Sequence, residues 1–344
     1  MRHRLGLLIL SLGMTCYTLP SEATPHVTFL GDFVYMKRTS LHNHSLVKNP
    51  NKKQDPCKKC PNHTVIGTED LIHDFDFEPG YRVAMIYTPS ARNSIEANFM
   101  DLQTWHGDKS AHGNQDLSFP FSHAGYSSDF TNADKAHAEY ESSFWDVELN
   151  YWRHFSAWPI NYVDTTGKND SEKEDSFQFT LSGVAGFRYF HLDESFKLSM
   201  ENPPDKSKYT IHTWNKAYGA QVGLDFQMIP MPWLCWDLFA KVGIFGNDTK
   251  QKQFLGDLDD AITLRHSKDH DWQCGFFTDV AASIEFRIPK SFSIHGGYQA
   301  IFMTGLSLAP EQVSHGTDSD AGKKDRVNGN AIIHGLFVGL SLSF

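Results

Sequence analysis

Ala331-Ile332-Ile333-His334-Gly335-Leu336-Phe337-Val338-Gly339-Leu340-Ser341-Leu342-Ser343-Phe344 closes the chain, and its pattern points to the fold class. Leu336, Val338, Leu340, Leu342 and Phe344 share one parity. Gly335, Gly339, Ser341 and Ser343 share the other, interrupted only by Phe337. Such period-two alternation is the signature of a strand. A face of large apolar groups, an opposite face of small polar ones and a terminal aromatic suit a wall standing between lipid and water. A strand of a soluble sandwich also alternates, so the rest of the chain has to choose between the two.

Further segments carry the same pattern. Val27, Phe29, Gly31, Phe33 and Tyr35 share a face, as do Tyr81, Val83, Met85 and Tyr87, and then Ile95, Ala97 and Phe99. Trp145, Val147, Leu149 and Tyr151 oppose Asp146, Glu148 and Asn150. Phe177, Phe179, Leu181, Gly183, Ala185, Phe187 and Tyr189 oppose Gln178, Thr180, Ser182 and Arg188. Tyr218–Phe226, Trp236–Ile244, Phe276–Ile288 and Phe292–Phe302 continue the series. With the final strand the pattern predicts about ten strands, an even number as membrane barrels favour, or twelve if a ragged loop hides another hairpin.

The connections alternate in length. Residues 38–78, 103–139, 191–208, 247–270 and 305–330 read as long loops, whereas 88–92, 229–232 and 289–291 read as short turns. Only 154–175, a medium polar stretch that includes the charged run 171–175, breaks the rhythm. Long outer loops and short inner turns belong to an outer-membrane barrel; a sandwich has no reason to keep them. The predicted fold is therefore all-β: a transmembrane antiparallel up-and-down barrel.

The first residues fit export. Arg2, His3 and Arg4 precede the apolar run Leu5–Leu12, and Ser21-Glu22-Ala23 offers small residues for cleavage before Thr24. Residues 1–23 are expected to be a signal peptide and 24–344 the barrel. The run is shorter than the roughly 20 residues a spanning helix needs, and Gly13-Met14-Thr15 before Cys16 lacks the usual lipoprotein pattern.

Composition agrees with this class. Mean hydropathy is −0.42, a value that a barrel tolerates because half of each strand faces water. The 26 Phe, 12 Tyr and 8 Trp can furnish interfacial girdles. A formal net charge of −10 argues against nucleic acid as a partner, since that needs a basic surface.

The last strand resembles the C-terminal assembly signal of Gram-negative outer-membrane barrels, with Phe344 as its terminal residue. Gly186-Phe187-Arg188-Tyr189-Phe190-His191-Leu192-Asp193-Glu194 resembles a strand end of the pore-forming major outer-membrane proteins of Legionella and Chlamydia-like bacteria. Residues 145–151, 218–225 and 237–244 are similar to neighbouring strands of that family, and the resemblance covers residues 140–250 best. It implies a barrel in the outer membrane of a Gram-negative bacterium, a porin-like function and no catalytic residues. It also implies that the last strand meets the barrel-assembly machinery.

Parity predicts which charges line the lumen: Arg82, Asp146, Glu148, Arg188, Asp225, Asp237, Lys241, Asp279, Glu285 and Arg287. Six acids against four bases lead us to expect a weak preference for cations. Cys57-Lys58-Lys59-Cys60 lies in the first outer loop, where an oxidising compartment favours a disulfide, local or to an envelope partner, over a metal site. Cys235 and Cys274 are expected at opposite ends of the barrel. The chain has 18 His, with His42, His44, His63, His73, His106, His112 and His123 among those in loops, and their spacing matches no metalloenzyme pattern. His191, Asp193, Glu194 and His212 flank the third outer loop as rim proteases require, yet no nucleophile accompanies them and His191 has outward parity. No enzyme, cofactor or metal is expected. The expected function is passive diffusion of small hydrophilic solutes, with outer-membrane lipid as the surrounding partner. The alternative is a structural or adhesive barrel with an occluded lumen and partner-binding loops.

Overall fold

In the computed structural model the chain forms an antiparallel sheet that closes on itself. The structure describes residues 25–39, 44–49, 51, 63–119, 130–155, 158–160, 177–257, 263–288, 291–314 and 322–344. The signal segment, Cys57 and Cys60, His42, His123 and the charged run 171–175 lie outside the described residues.

In chain order the strands are β1 (His26–Thr39), β2 (Ser45–Lys48), β3 (Thr64–Gly67), β4 (Glu78–Ser90), β5 (Asn93–Leu102), β6 (Trp105–Leu117) and β7 (Ala133–His154). Then come β8 (Trp158–Ile160), β9 (Phe177–Asn202), β10 (Asp205–Met231), β11 (Leu234–Asp257), β12 (Thr263–Ile288), β13 (Phe292–Leu306) and β14 (Gly329–Ser343). A single turn of helix, α1 (Thr68–His73), follows β3, and a 3-10 turn (Ala309–Gln312) lies between β13 and β14. Of the 12 strands in the main sheet, β6 borders β7 and β8 borders β9. The other ten close a ring in the order β1-β4-β5-β7-β9-β10-β11-β12-β13-β14, with β1 paired to β14 across the seam. Closure leaves no unpaired edge in the wall, which is what lets a sheet sit in hydrocarbon. No helix among the described residues is long and apolar enough to cross a membrane.

The wall shows its apolar face outward. Val222, Leu238 and Leu336 are 57–58% exposed on three different strands. Val147, Leu149, Val242 and Ile284 face outward as well. Aromatic rings bound this band. At the upper rim Tyr81, Phe99, Trp145, Tyr189 and Tyr218 touch in succession across β4, β5, β7, β9 and β10, with centroids 4.8–6.3 Å apart. Tyr35, Phe77, His334 and Tyr298 continue the rim across the seam. At the short-turn end Phe29 meets Phe344, Phe179 meets Phe226 and Trp233 meets Phe286. Ten residue steps separate Tyr189 from Phe179; a strand tilted about 40° covers about 25 Å in that distance, the height of an outer-membrane apolar band.

In the stretches 191–208 and 247–270, read above as loops, the described residues are strand instead, apart from the turn at 203–204. β9 and β10 run on past the rim to a tight turn at Pro203-Pro204, and β11 and β12 run on to Asp257 and Thr263. On β9 the polarity inverts on the way, whereas β11 keeps the polar Asn247, Thr249, Gln251 and Gln253 pointing in. Below the rim of β9 the odd residues are apolar and face out; above it Phe190, Leu192, Phe196, Leu198 and Met200 are apolar and point in. His191, Asp193, Lys197 and Glu201 take the outer face. Water, not lipid, surrounds this part, so the greasy face turns to the interior. The long segment 38–78 likewise contributes β2, β3 and α1, whose Leu46, Val47, Ile66 and Leu71 join the same extracellular core. The loop-rich end is the extracellular one, since outer-membrane barrels keep their short turns in the periplasm.

Candidate functional site in the lumen and at its mouth

Below the upper rim the interior is polar and filled. Arg188, reaching in from β9, forms ion pairs with Asp146 of β7 and, at 2.9 Å, with Asp279 of β12; Glu148 lies 3.5 Å away. Lys241 of β11 meets Glu148 at 2.7 Å. Gln299 of β13 links Asp279 to Arg82 of β4, with both hydrogen bonds at 2.8 Å. Arg82 in turn donates to Asp32 of β1 at 2.6 Å, and His295 Nε2 lies 2.8 Å from the same carboxylate. On the other side Gln221 donates to Glu148 and Asn150, and Trp152 Nε1 donates to Glu96 at 2.7 Å. Every ring strand except β14 contributes to this web, which spans the bore from wall to wall. Inside it remains a void of about 30 Å³ lined by Arg82, Glu96, Asp146, Glu148, Arg188 and Lys241 among others, enough for one or two waters.

Aromatic side chains roof the web. Phe144, Phe190, Phe245 and Phe277 pack ring against ring in succession across β7, β9, β11 and β12, with centroids 4.9–6.3 Å apart. Arg188 sits 5.1 Å from the Phe277 ring, and Arg82 4.7 Å from the ring of Phe337, the one aromatic side chain on the inner face of the last strand. The glycines of that strand have a matching purpose. A Cβ at Gly339 would collide with the Asp32 carboxylate and His295. The small inner face of β14 makes room for the charges of its neighbours.

Above the roof the segment after β13 turns into the mouth. Residues 307–314 are buried. Asn215 of β10 brackets Ser307, donating to its carbonyl and accepting from its N–H at 2.8 Å each. Ala309 N–H donates to Glu194 at 2.8 Å, and Glu194 is itself held by Arg38 at 2.6 Å. Gln253 donates to the Gln312 carbonyl, and the Tyr209 hydroxyl accepts from the Ser314 N–H. Asp325 accepts from Ser307 and Thr249 at 2.6 Å. Burial pushes the Asp325 carboxyl up even though these two hydroxyls favour its charged form.

The residues singled out by parity are placed as follows. Arg82, Asp146, Glu148, Arg188, Lys241 and Asp279 meet in the web. Asp225, Asp237, Glu285 and Arg287 also face in but lie nearer the periplasmic end, where Gln227 donates to Asp225 at 3.0 Å and Arg287 stands 3.5 Å from Glu285. Asp32, Glu96, His295 and Gln299 share the inward parity of their strands and belong to the web too. Arg38 and Glu194 also point inward, which parity does not reveal because they lie where the outward face is no longer apolar. Cys235 aligns with Glu285 and Cys274 with Gly246, so the two are far apart along β11 and β12. Phe344 exchanges backbone hydrogen bonds with Val27 at 3.0 and 3.2 Å, sealing the seam at the periplasmic edge.

The rim quartet is split. His191 Nε2 and Asp193 are 2.5 Å apart on the outer face, and His212 stacks on Trp214 on that face too; Glu194 points inward to Arg38. Among the described residues no group of three or more His, Cys, Asp or Glu is arranged to hold a metal ion.

A closed ring, a band about 25 Å tall and two aromatic girdles together leave one environment for such a wall. The chain is an outer-membrane β-barrel. No protein-family model matches the sequence, and no curated protein does. Among solved structures the barrel is similar to the outer-membrane protease OmpT from Escherichia coli, at 10% identity and TM-score 0.41, covering 96% of this chain and 99% of that one. It is similar to a FadL homologue from Pseudomonas aeruginosa at 9% identity and TM-score 0.23, covering 93% and 90%. An anion-selective porin from Comamonas acidovorans matches at 8% identity and TM-score 0.19, covering 93% and 99%. At these distances none of those proteins' activities transfers to this chain.

Proposed function

We propose that the protein is a closed outer-membrane barrel with a structural or adhesive role, its working surface being the extracellular sheet and loops. The observation that carries this reading is the web of ion pairs centred on Arg188, which crosses the bore and leaves a void of about 30 Å³. Hydrated solutes need a far wider path, of the kind found in 16–18-stranded porins. The aromatic roof and the buried segment 307–314 support it further. No catalysis is part of this reading: of the four rim groups Glu194 turns inward to Arg38, away from His191, Asp193 and His212 on the outer face of β9 and β10.

The second reading, passive diffusion of small hydrophilic solutes with a weak preference for cations, is favoured by one observation: the lining is charged, with Asp32, Glu96, Asp146, Glu148 and Asp279 outnumbering Arg82, Arg188 and Lys241. It requires the web and the segment in the mouth to move aside. Kinship with the Legionella and Chlamydia-type major outer-membrane proteins, through residues 186–194, would fit that second function. Contact of the last strand with the assembly machinery, and a disulfide at Cys57 and Cys60, remain proposals under either. Planar-bilayer recording separates the two readings. A closed barrel gives no stable conductance steps and no liposome swelling; regular steps in folded, purified protein would replace it with the pore.

A further inference from the structure

The chain carries a formal net charge of −10, yet one outer surface above the upper aromatic rim is strongly basic. On β10, β11 and β12 the outward positions beyond Tyr218 hold Lys208, Lys216, Lys250, Lys252 and Lys268. The single acid on that face among the described residues is Asp248, and it is engaged by His270. The register sets basic side chains side by side: His212 opposite Lys252, Lys252 opposite Lys268, and Lys250 opposite His270. Lys250, Lys252 and Lys268 are exposed and make no ion pair among the described residues.

Like charges directly opposite on a sheet destabilise it. Among the described residues no acid of this face offsets the Lys252–Lys268 pair, which points to an anion supplied from outside. Trp214 adds a second feature. It lies 5.1 Å from the Lys252 ammonium and stacks with His212 at 6.1 Å, giving the basic patch a flat apolar floor. Burial, then the fields of Lys197, Lys252 and Lys208, hold the His212 imidazole below its ordinary pKa against the opposing pull of Glu141. The patch is thus short of negative charge as it stands.

Height selects the occupant. Lys216 is two residues past Tyr218, and Lys252 is level with His212, six residues past it. Along strands tilted about 40° these steps place the patch roughly 5–15 Å above the apolar band. A lipid embedded beside β10–β12 has its headgroup at this level. We propose that the outer face of β10–β12 binds the phosphorylated headgroup of an outer-leaflet glycolipid, with Lys250, Lys252 and Lys268 meeting phosphate and Trp214 meeting a sugar face. This holds whether or not the lumen conducts.

The test is native mass spectrometry of the folded full-length chain in a neutral detergent, titrated with a bisphosphorylated diglucosamine lipid and with the same lipid stripped of phosphate. The phosphorylated lipid should bind at least about tenfold more weakly to the K250Q/K252Q/K268Q variant. The stripped lipid should bind both proteins equally weakly. Equal binding of the phosphorylated lipid to both proteins would overturn the proposal. So would displacement by millimolar inorganic phosphate, which would mean an ion site, or tighter binding of a soluble sulfated polysaccharide, which would mean a different partner. If the variant does not fold, lysine acetylation of the unaltered protein decides: the lipid should protect Lys250, Lys252 and Lys268 and leave Lys109 and Lys135 reactive, and uniform protection would overturn it.

Discussion

Residues 177–189 and 190–202 belong to one unbroken strand, yet they obey opposite rules. In the lower half Phe187 is 70% exposed on the outside while Arg188 is buried in the bore. In the upper half Phe196 and Leu198 are buried inside while Lys197 faces out. The backbone register does not slip between them. What changes is the solvent. Lipid around the lower half accepts apolar groups and the bore must then hold the polar ones; water around the upper half reverses both. The lower interior is therefore held by charges satisfied by one another, and the upper interior beside β9 by packed apolar side chains of the soluble kind, next to the polar groups that hold residues 307–314. Tyr189 and Tyr218, in contact at 4.8 Å, stand where the two regimes meet.

The largest effect should come from breaking the polar interior. Arg188→Met leaves Asp146, Glu148 and Asp279 without their central cation, and removing one partner of a buried ion pair costs about 3–5 kcal/mol. Denaturant titration of refolded protein should show a clearly lower unfolding midpoint. An unchanged midpoint would mean that the web is hydrated and loose, and that the bore is more open than described.

The inversion itself is sharpened by substitutions on either side of the rim. Leu149→Arg, on the lipid face, should cost about 2–4 kcal/mol. Leu198→Ala, at an inward position above the rim, should cost about 2–5 kcal/mol by leaving a cavity. Lys197→Ala, its outward neighbour, should stay within about 0.5 kcal/mol. Unfolding midpoints measured in one detergent compare all three, and equal tolerance at Leu198 and Lys197 would erase the distinction between the halves.

This inversion also explains what the sequence could and could not reveal. Parity below the rim was legible because Phe179–Tyr189 alternates against Thr180, Ser182 and Arg188, and it placed Arg188 and Glu148 in the lumen. Beyond Tyr189 alternation persists in His191–Ser199, but the apolar groups have moved to the even positions, so a search for an outward greasy face ends at the rim and reads a loop. Pairings were not legible, since Arg188 meets Asp279 across 91 positions and Arg38 meets Glu194 across 156. The segment Ser307-Leu308-Ala309-Pro310-Glu311-Gln312 has no period at all; it is buried because Asn215 and Glu194 supply partners for its backbone.

A small effect on stability is also expected at the seam. Phe344 touches Phe29 edge-on at 6.3 Å and is 78% exposed, a contact worth about 0.5–1.5 kcal/mol. Deleting Phe344 should therefore leave the refolded barrel nearly as stable while lowering the yield of folded protein in the outer membrane, read by heat-modifiable gel mobility. Loss of both together would make the residue a structural clasp and not an assembly signal.

The inversion at the rim is tested most directly by a nitroxide scan along β9, one labelled cysteine at a time from residue 179 to 201, in protein reconstituted in lipid. Odd positions up to 189 should be accessible to oxygen, odd positions from 191 onward to a water-soluble nickel chelate, and even positions to neither. Oxygen accessibility continuing along the odd positions past 193, or nickel accessibility at the even positions below 189, would contradict the account.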